Sequence, residues 1–411
     1  MKKLLIIGYV WPEPNSSAAG SRMMQLIQFF QQQGYQITFA SPAQLSEHMA
    51  DLVTIEVSIA EIKLNCTSFD SFIKQLQPDV VMFDRFMMEE QFGWRVSESC
   101  PDALRVLDTE DLFSLRDARH KAFKQGQAFS EQDLLTSDMA KREIAAIYRS
   151  DVSLMISPVE IELLRRLFNV DANLLHHCPF MLDDTQLNQD TPSYHERDGF
   201  MVIGNFRHAP NWDAVLWLKQ QIWPLIRKQL PDAQLCVYGA YPPPKATALH
   251  DEKTGFLVKG WVDDALNAMK SARVCLAPLR FGAGIKGKLA EAMICATPSV
   301  TTEIGSEGMQ CGLPWPGKIC DDVQAFADAA VALYKDEQAW QAASVEGPKS
   351  AKKMFQQSKA YLSLETKINT LQANLTEHRQ QNFIGSMLNH HHHKSTKYMA
   401  QWIAAKNQLA D

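Results

Sequence analysis

The most informative chemistry in the sequence lies in residues 280–291, which read Arg-Phe-Gly-Ala-Gly-Ile-Lys-Gly-Lys-Leu-Ala-Glu. The segment follows a short apolar run typical of a strand and opens a stretch with helical spacing. Its glycines, Gly284 among them, let the backbone approach a ligand, and the amides and dipole at a helix start favour an anion. Three cations stand within it, at Arg280, Lys286 and Lys288. A diphosphate is the kind of ligand that needs both features; the alternative is a solvated helix start with ordinary charges.

Glu291 lies one turn into the same predicted helix, three residues after Lys288. A carboxylate at that place can accept two hydrogen bonds from vicinal hydroxyl groups, such as those of a ribose. The segment therefore predicts a site for the diphosphate and the ribose of a nucleotide.

The elements that must position this segment form two series of alternating strands and helices. The first series places strands at residues 4–9, 36–40, 54–57, 80–83, 104–107 and 152–156, with helices at 22–33, 69–76 and 131–149. The second places strands at residues 201–203, 234–238, 256–259, 274–277 and 299–302, with helices at 211–229, 265–272 and 286–295. Such alternation is typical of parallel sheets covered on both faces. The sequence thus predicts two Rossmann-like, doubly wound α/β domains with a ligand site in the cleft between them.

The boundary between the two domains is predicted in the polar stretch 183–198, and a length of 411 residues suits two domains. The N-terminal domain is predicted at residues 1–182, the C-terminal domain at 199–360 and a helical extension at 361–411. Apolar residues share helical spacing near the end of the extension, at Tyr398, Met399, Trp402, Ile403 and Leu409. They predict a closing helix packed on the body, with a membrane-surface or partner helix as the alternative.

Composition narrows the class of protein. The formal net charge is -6, and 41 Lys and Arg do not outnumber 47 Asp and Glu, which disfavours a nucleic-acid partner. No apolar run reaches the roughly 18 residues of a membrane span. The apolar start at residues 4–10 ends in Trp-Pro without a small-residue cleavage site, so a buried strand is favoured over a signal peptide. Eight cysteines without a Cys-x-x-Cys pair suit a reduced, cytoplasmic protein, although a local basic patch for a phosphate or a membrane surface remains open.

The segment 280–291 resembles the family 4 retaining glycosyltransferases, which have the two-domain GT-B fold. Their signature is a Glu-x7-Glu motif at the start of a C-domain helix, and this sequence keeps the second Glu as Glu291 but has Ala283 at the first position. A branch of the family that reads Gly-x-Gly-x-Lys/Arg-x-Lys shares this departure. The resemblance implies a sugar transfer with retention of configuration, from a nucleotide diphosphate sugar to a glycan, a lipid-linked molecule or another acceptor. It implies cell-surface polysaccharide or glycoconjugate synthesis, possible association with the inner face of a membrane, and no cofactor.

No bound metal is expected. The sequence has no Asp-x-Asp pair placed to bridge a metal and a diphosphate. The four consecutive histidines at residues 390–393 would not form a good chelate in a regular helix.

The resemblance covers most of the chain. Residues 204–214 are similar to the family's first C-domain loop, which implies that Gly204 and Arg207 approach the diphosphate. Asn211 and Asp213 are each predicted to cap the helix that follows. Residues 235–239 and 258–264 are similar to the strands and loops that frame the nucleoside.

In the N-terminal domain, residues 8–22 resemble the family's first strand and the loop over the donor phosphates. Gly20 and Ser21 would offer backbone amides at a helix start. The alternative is a flexible loop with a serine cap.

The acceptor side is predicted at the end of the strand at 104–107. Asp108, Glu110 and Asp111 are candidates for accepting or orienting the acceptor's hydroxyl proton, and capping the next helix is the alternative. Arg116 and Arg119 would bind an anionic acceptor or pair with these acids. Lys288 is predicted to stabilise the leaving diphosphate.

Two rival functions follow from the same residues. The absence of a carboxylate at Ala283 suits a catalytically silent subunit that binds a nucleotide sugar. A nucleotide-sugar 2-epimerase of similar fold is the other, and it would act on the donor alone.

Overall fold

The computed structural model describes residues 1–408, except for the side chains of His392, His393, Lys394, Ala404, Asn407 and Gln408. Its first sheet has seven parallel strands in the order β3-β2-β1-β4-β5-β6-β7. The strands are β1 (Lys3–Ile7), β2 (Gln36–Ser41), β3 (Ser58–Glu61), β4 (Val80–Asp84), β5 (Leu104–Asp108), β6 (Val152–Met155) and β7 (Leu175–His177). The helices between them are α1 (Ala18–Gln32), α2 (Ser68–Leu76), α3 (Phe86–Ser99), α4 (Phe113–Lys124), α5 (Glu131–Leu135), α6 (Asp138–Arg149) and α7 (Pro158–Phe168).

The second sheet has six parallel strands in the order β10-β9-β8-β11-β12-β13. The strands are β8 (Phe200–Ile203), β9 (Leu235–Tyr238), β10 (Phe256–Gly260), β11 (Val274–Ala277), β12 (Ser299–Thr301) and β13 (Gly317–Ile319). The helices of this half are α8 (Asp184–Leu187), α9 (Ala209–Trp217), α10 (Trp223–Gln229), α11 (Pro244–Thr247), α12 (Ala265–Ser271), α13 (Gly287–Ile294), α14 (Glu303–Ser306), α15 (Val323–Lys335) and α16 (Glu337–Phe355). The last three helices are α17 (Gln357–Ala373), α18 (Leu375–Gln381) and α19 (Phe383–Gln408).

The inner strands of the first sheet, such as β1 and β4, are buried on both faces, and their successive side chains point to opposite sides of the sheet. In β1, Leu5 and Ile7 pack into one apolar cluster, whereas Leu4 and Ile6 pack into the other. Helices cover both faces, as expected for a parallel sheet. The predicted fold class, two doubly wound α/β halves with a helical C-terminal extension, is confirmed.

The chain passes between the two halves at two adjacent points. The Leu182 amide donates to the Phe355 carbonyl at 2.7 Å, and the Gln357 amide donates to the Leu182 carbonyl at 2.9 Å. After this crossing, α17 packs Leu364 and Ile368 into the apolar cluster of the first sheet. The two crossings therefore lie side by side, and the C-terminal helices return to the N-terminal half.

Several predicted elements differ from the structure. The strand predicted at residues 54–57 is wrong: those residues form turns, with Glu56 at φ 61°, and the strand is Ser58–Glu61. The helix predicted at 131–149 is two helices, because Ser137 caps α6 by accepting from the Ala140 amide at 3.4 Å. Three-residue strands β7 and β13 were too short for their periodicity to be recognised.

The predicted apolar face of the last helix does not pack on the body. α19 lies against α3 and α6, with Ala400 buried and Leu388 packed against the first core. Tyr398, Met399 and Trp402 are 64%, 59% and 60% exposed. Leu409 lies outside the described residues.

Candidate functional site

The loop that follows β11 lies against the N-terminal half of the molecule. Gly284 has a φ of 63°, and a Cβ added to it would stand 2.8 Å from Cβ of Asp111. One turn further, a Cβ on Gly287 would stand 2.5 Å from Cβ of Ala18, so the starts of α13 and α1 are in contact. Larger residues would force the halves apart, and the glycines therefore permit this close approach. We call residues 280–286 the donor loop, after the nucleotide sugar donor that the sequence predicts for them.

Lys286 is folded back onto the donor loop. Its Nζ donates to the carbonyl oxygens of Ala283, at 3.2 Å, and of Gly284. Burial lowers the pKa of Lys286 to about 8, an effect partly offset by Glu307 and Glu160. The side chain therefore stabilises the loop from within and brings a positive charge to it.

Lys288 and Glu291 lie on the first turns of α13. The Lys288 Nζ donates to Oδ1 of Asn211 at 2.8 Å, and burial lowers the pKa of Lys288 to about 8. Burial also raises the pKa of Glu291. The side-chain Nδ2 of Asn211 in turn donates to the backbone carbonyl of Asn205 at 3.1 Å. Asn211 was predicted to cap α9, but His208 is the cap residue, and Asn211 links Lys288 to the loop after β8.

Arg280 makes an ion pair with Asp213 of α9. The Arg280 Nε and Nη2 donate to Asp213 at 2.9 and 2.6 Å, and the guanidinium lies between the rings of Phe123 and Trp217. The predicted capping role of Asp213 is therefore wrong. The diphosphate contact predicted for Arg280 stays a prediction. For that contact, the Arg280 guanidinium would have to bind the diphosphate while it is paired with Asp213.

The loop after β8 carries the next two predicted residues. The Gly204 amide donates to the Tyr238 carbonyl at 3.1 Å, and a Cβ on Gly204 would stand 2.6 Å from the Asn211 side chain. Arg207 is exposed, with its guanidinium 3.6 Å from the ring centroid of Tyr241.

Aromatic side chains from both halves pack together around Tyr241, the residue that Arg207 contacts. His48 stacks on Trp261 at 4.0 Å with 5° between the rings, and lies edge-on to Tyr241 at 5.3 Å. The Tyr241 hydroxyl donates to Glu13 at 2.8 Å. Trp261 falls within the segment predicted to frame a nucleoside, whereas His48 was missed, because its loop has no periodic pattern or motif.

The amides predicted to bind phosphate at the start of α1 are bonded within the chain. The Gly20 amide donates to Oγ of Ser17 at 3.0 Å, and the Ser21 amide donates to the Ser17 carbonyl at 3.1 Å. Ser17 is the helix cap, so the alternative of a serine cap describes this turn. The prediction for Gly20 and Ser21 was wrong in placing the helix start at residue 22 rather than at Ala18.

Asp108, predicted as a catalytic acid, is fully buried in an ion pair. Arg22 Nη2 and Nε donate to Asp108 at 2.8 and 3.0 Å, and neither side chain has exposed surface. Arg22 also donates to the carbonyl of Cys178, so the pair ties β5 to α1 and to the segment after β7. With no exposed surface, the Asp108 side chain is not accessible to a substrate in this structure.

Glu110 is the acid of this group that keeps a free carboxylate. It has a φ of 65°, is half-buried, and accepts no hydrogen bond from any described residue. Burial, then the charges of Asp108 and Asp84, raise its pKa well above the usual value. Asp111 instead accepts from Arg116 at 2.7 Å. A free carboxylate with a raised pKa at the end of β5 suits proton transfer.

Two residues of the N-terminal half form hydrogen bonds with the backbone of the donor loop across the cleft. Arg119 was predicted to bind an acceptor or to pair with nearby acids, but it donates to Glu307 and to the Gly282 carbonyl. Glu160 of α7 accepts from the Gly284 amide at 2.6 Å and from the Leu112 amide at 3.2 Å. Glu160 was missed because it lies 124 residues from its partner in an ordinary amphipathic helix.

Within residues 1–408, no helix is both long and apolar enough to cross a membrane. Among the described side chains, no group of three or more His, Cys, Asp or Glu could hold a metal ion. The side chains of His392 and His393 lie outside that description.

Comparison with known proteins matches the second half of the molecule to one family. Residues 197–336, which include the donor loop, match the family model Glycosyl transferases group 1. A curated relative from Klebsiella pneumoniae, an uncharacterized 44.6 kDa protein in the cps region, is 28% identical over 115 residues. That match spans 26% of this chain and 30% of the relative.

Solved structures match the whole architecture. Sucrose-phosphate synthase from Thermosynechococcus elongatus is 16% identical with a TM-score of 0.66, over 91% of this chain and 100% of that one. A glycosyltransferase from Rickettsia africae is 10% identical with a TM-score of 0.65, over 90% and 98% of the two chains. Alr3699/HepE of Anabaena, solved in complex with UDP and glucose, is 10% identical with a TM-score of 0.67, over 90% and 100%. The chain thus has the GT-B fold, and the stretch that carries its donor loop matches the Glycosyl transferases group 1 family.

Proposed function

We propose that the protein transfers a glycosyl group from a nucleotide diphosphate sugar to an acceptor hydroxyl, with retention of configuration. The observation that carries this proposal is the contact between the segment that leads into α13, with Lys288 and Glu291, and the end of β5 that carries Glu110. A Cβ on Gly284 would stand 2.8 Å from Cβ of Asp111, the residue after Glu110. The family match and the GT-B fold support it. Polysaccharide or glycoconjugate synthesis is the proposed setting.

The donor half of the site acts on the diphosphate and the ribose. The α13 dipole and the ammonium of Lys288 stabilise the negative charge that develops as the bond between the anomeric carbon and the diphosphate breaks. Glu291 accepts hydrogen bonds from the ribose hydroxyl groups. Tyr241 and Trp261 frame the base. UDP is the first nucleotide to test, because the Anabaena neighbour was solved with it.

The acceptor half orients the attacking hydroxyl group. The acceptor oxygen forms the new bond to the anomeric carbon on the face that the diphosphate leaves. Glu110 orients that hydroxyl and accepts its proton, and the buried pair of Arg22 and Asp108 fixes the strand end from which Glu110 projects. A glycan or lipid-linked molecule is the proposed acceptor.

Glu110→Gln is expected to lower kcat by about a hundredfold to ten-thousandfold, the usual contribution of a positioned acid or base. UDP affinity, measured by calorimetry, is expected to stay the same, because Glu110 stands on the acceptor side. Transfer is assayed with UDP-, GDP- and ADP-sugars against a panel of glycan and lipid-linked acceptors. Glu162→Gln, at an exposed site on α7, is the matched control.

The outcomes separate the proposal from its rivals. Donor binding without transfer or hydrolysis across the panel would indicate a silent binding subunit, which the buried Ala283 favours. Conversion of the donor alone would indicate an epimerase. An active Glu110→Gln enzyme would remove Glu110 from the mechanism but leave sugar transfer in place.

The exposed face of α19 supports a further proposal, that the enzyme works at an anionic lipid surface. Large apolar side chains are exposed along this helix, at Phe383, Ile384, Met387, Tyr398, Met399 and Trp402. The helix contains three lysines and no acidic residue, although the chain as a whole has a formal charge of -6. An apolar face with cations and no acids fits an anionic bilayer interface. Docked on α3 and α6, α19 would bring the acceptor half to the membrane.

The double variant Met399→Glu/Trp402→Glu is expected to lose at least about nine-tenths of vesicle binding, because it places two charges in the apolar face. The measurement is co-sedimentation with vesicles of phosphatidylglycerol and phosphatidylcholine, and with phosphatidylcholine alone. Val345→Glu, at a 57% exposed site on α16, is the control. Equal binding by the variant, no binding by the wild type, or a dimer that the substitutions dissociate would each count against the membrane role.

A further inference from the structure

The backbone of the donor loop is held from the opposite half of the molecule. Nη1 of Arg119, on α4, donates to the Gly282 carbonyl at 2.8 Å. Glu160, on α7, accepts from the Gly284 amide at 2.6 Å. These two backbone groups belong to the residues on either side of Ala283. The shape of the loop therefore depends on charged side chains that reach it from across the cleft.

Arg119 also holds a second segment of the C-terminal half. Its Nη1 and Nη2 donate to the two carboxylate oxygens of Glu307, each at 2.7 Å. The side chains of Arg119 and Glu307 are only 11% and 21% exposed. A paired, two-bond contact between an arginine and a carboxylate fixes direction as well as distance, and partial burial shields it from salt.

The same surface of α4 packs its rings on the donor loop. His120 stacks on Phe281 at 4.4 Å with 6° between the rings, and Phe123 lies 5.0 Å from the same ring. Apolar and charged contacts thus act together on four of the five loop residues from Arg280 to Gly284. Opening of the cleft would break all of these contacts at once.

We infer that Arg119 and Glu160 are positioning residues that form a clamp on the donor loop, so that the loop takes its binding shape only when the two halves are closed. This inference rests on the proposed function of the loop as the donor site. A loop ordered by closure binds the donor more tightly in the closed state. By linkage, the donor then favours closure by the same factor. The clamp makes the acceptor half part of the donor site without touching the donor.

Glu160 and Arg119 differ in burial and in the partners on which they depend. Glu160 is buried, and its second carboxylate oxygen has no hydrogen-bond partner among the described residues. It therefore depends on the amides of Gly284 and Leu112 to offset the loss of water. Arg119 and Glu307 are each other's charged partner, so exchange of both charges together keeps an ion pair at this place.

Exchange of these two charges tests the clamp. Arg119→Glu puts two carboxylates face to face, and is expected to weaken UDP binding by about tenfold or more and to raise the radius of gyration of the ligand-free protein. The double variant Arg119→Glu/Glu307→Arg restores an ion pair, and is expected to bring both values most of the way back. UDP affinity is measured by calorimetry, and the radius of gyration by small-angle X-ray scattering.

Matched variants guard against unfolding and nonspecific charge effects. The exchange Arg166→Glu/Glu131→Arg alters an ion pair of the N-terminal half whose side chains are 52% and 45% exposed, and should leave both measurements unchanged. If Arg119→Glu melts well below the wild type, Glu307→Gln, which keeps the side-chain shape, takes its place. The KM for the donor is expected to rise in the clamp variants more than kcat falls.

The results distinguish failure of the clamp from failure of the proposed function. Wild-type protein that binds none of UDP, GDP or ADP would overturn the donor site, while the radius of gyration would still decide whether Arg119 holds the halves together. A wild-type radius of gyration and affinity in Arg119→Glu would overturn the clamp. The clamp would also be overturned by a double variant no better than the single one.

Discussion

Replacing Lys288 with alanine is expected to weaken UDP binding by about a hundredfold, because truncation of a buried charged partner costs about 2–5 kcal/mol. The ammonium stands at the start of α13, where it adds a full charge to the partial charge of the helix end. Its hydrogen-bond partner Asn211 is neutral, and the carboxylate of Glu291 on the next turn offsets only part of that charge. The measurement is calorimetric titration with UDP, with Lys245→Ala, at an exposed lysine of α11, as the control.

The pKa of Lys288 determines the direction in which UDP affinity is expected to change with pH. Burial lowers the pKa of Lys288 to about 8, so the free protein carries the ammonium below that pH and loses it above. The charged fraction of Lys288 begins to fall about one pH unit below its pKa, so UDP affinity is expected to fall gradually as the pH rises through 8. Lys288→Arg keeps its charge, so its affinity should fall less than that of the wild type over that range. The remaining fall would come from Lys286, whose pKa burial also lowers to about 8. Unchanged UDP affinity in Lys288→Ala would contradict the assignment of α13 to the donor.

The sequence was sufficient to predict contacts that are local in the chain. Glycines, cations and a carboxylate within twelve residues were enough to indicate an anion site at a helix start, and two series of alternating strands indicated the fold. Partners that only the folded chain brings together could not be predicted. Asp213 lies 67 residues from Arg280, and Glu307 lies 188 residues from Arg119. The sequence identifies the cationic residue, but it does not identify the distant carboxylate with which that residue pairs.

Asp108 shows how the same limit changes a functional interpretation. At the end of a parallel strand, a carboxylate is as suitable for catalysis as for structure. The difference comes from Arg22, 86 residues away, which reaches the same point from α1. The neighbouring Glu110, with its left-handed backbone, feels the charges of this pair but forms no hydrogen bond with either residue. The two acids, two residues apart in the chain, therefore take different roles.

Asp108→Ala is expected to lower the free energy of unfolding by about 3–5 kcal/mol, because it leaves the guanidinium of Arg22 buried without its charged partner. Both side chains of the pair are 0% exposed, so no water can replace the carboxylate without rearrangement. Burial by itself would lower the pKa of Arg22, but Asp108 holds that pKa above its ordinary value. The free energy of unfolding is measured in urea, with a fluorescence signal from the N-terminal half as the readout.

A second variant separates the structural role from a catalytic one. Arg22→Met/Asp108→Leu replaces both ions by apolar groups of similar volume, which often restores stability. If Asp108 acts only by positioning, the double variant should recover most of the lost free energy and much of the transfer activity. Had Asp108 been the proton acceptor, the double variant would be stable and inactive, and Asp108→Asn would lose activity at normal stability. Glu110→Gln shows the opposite pattern in this scheme, with activity lost and the free energy of unfolding nearly unchanged.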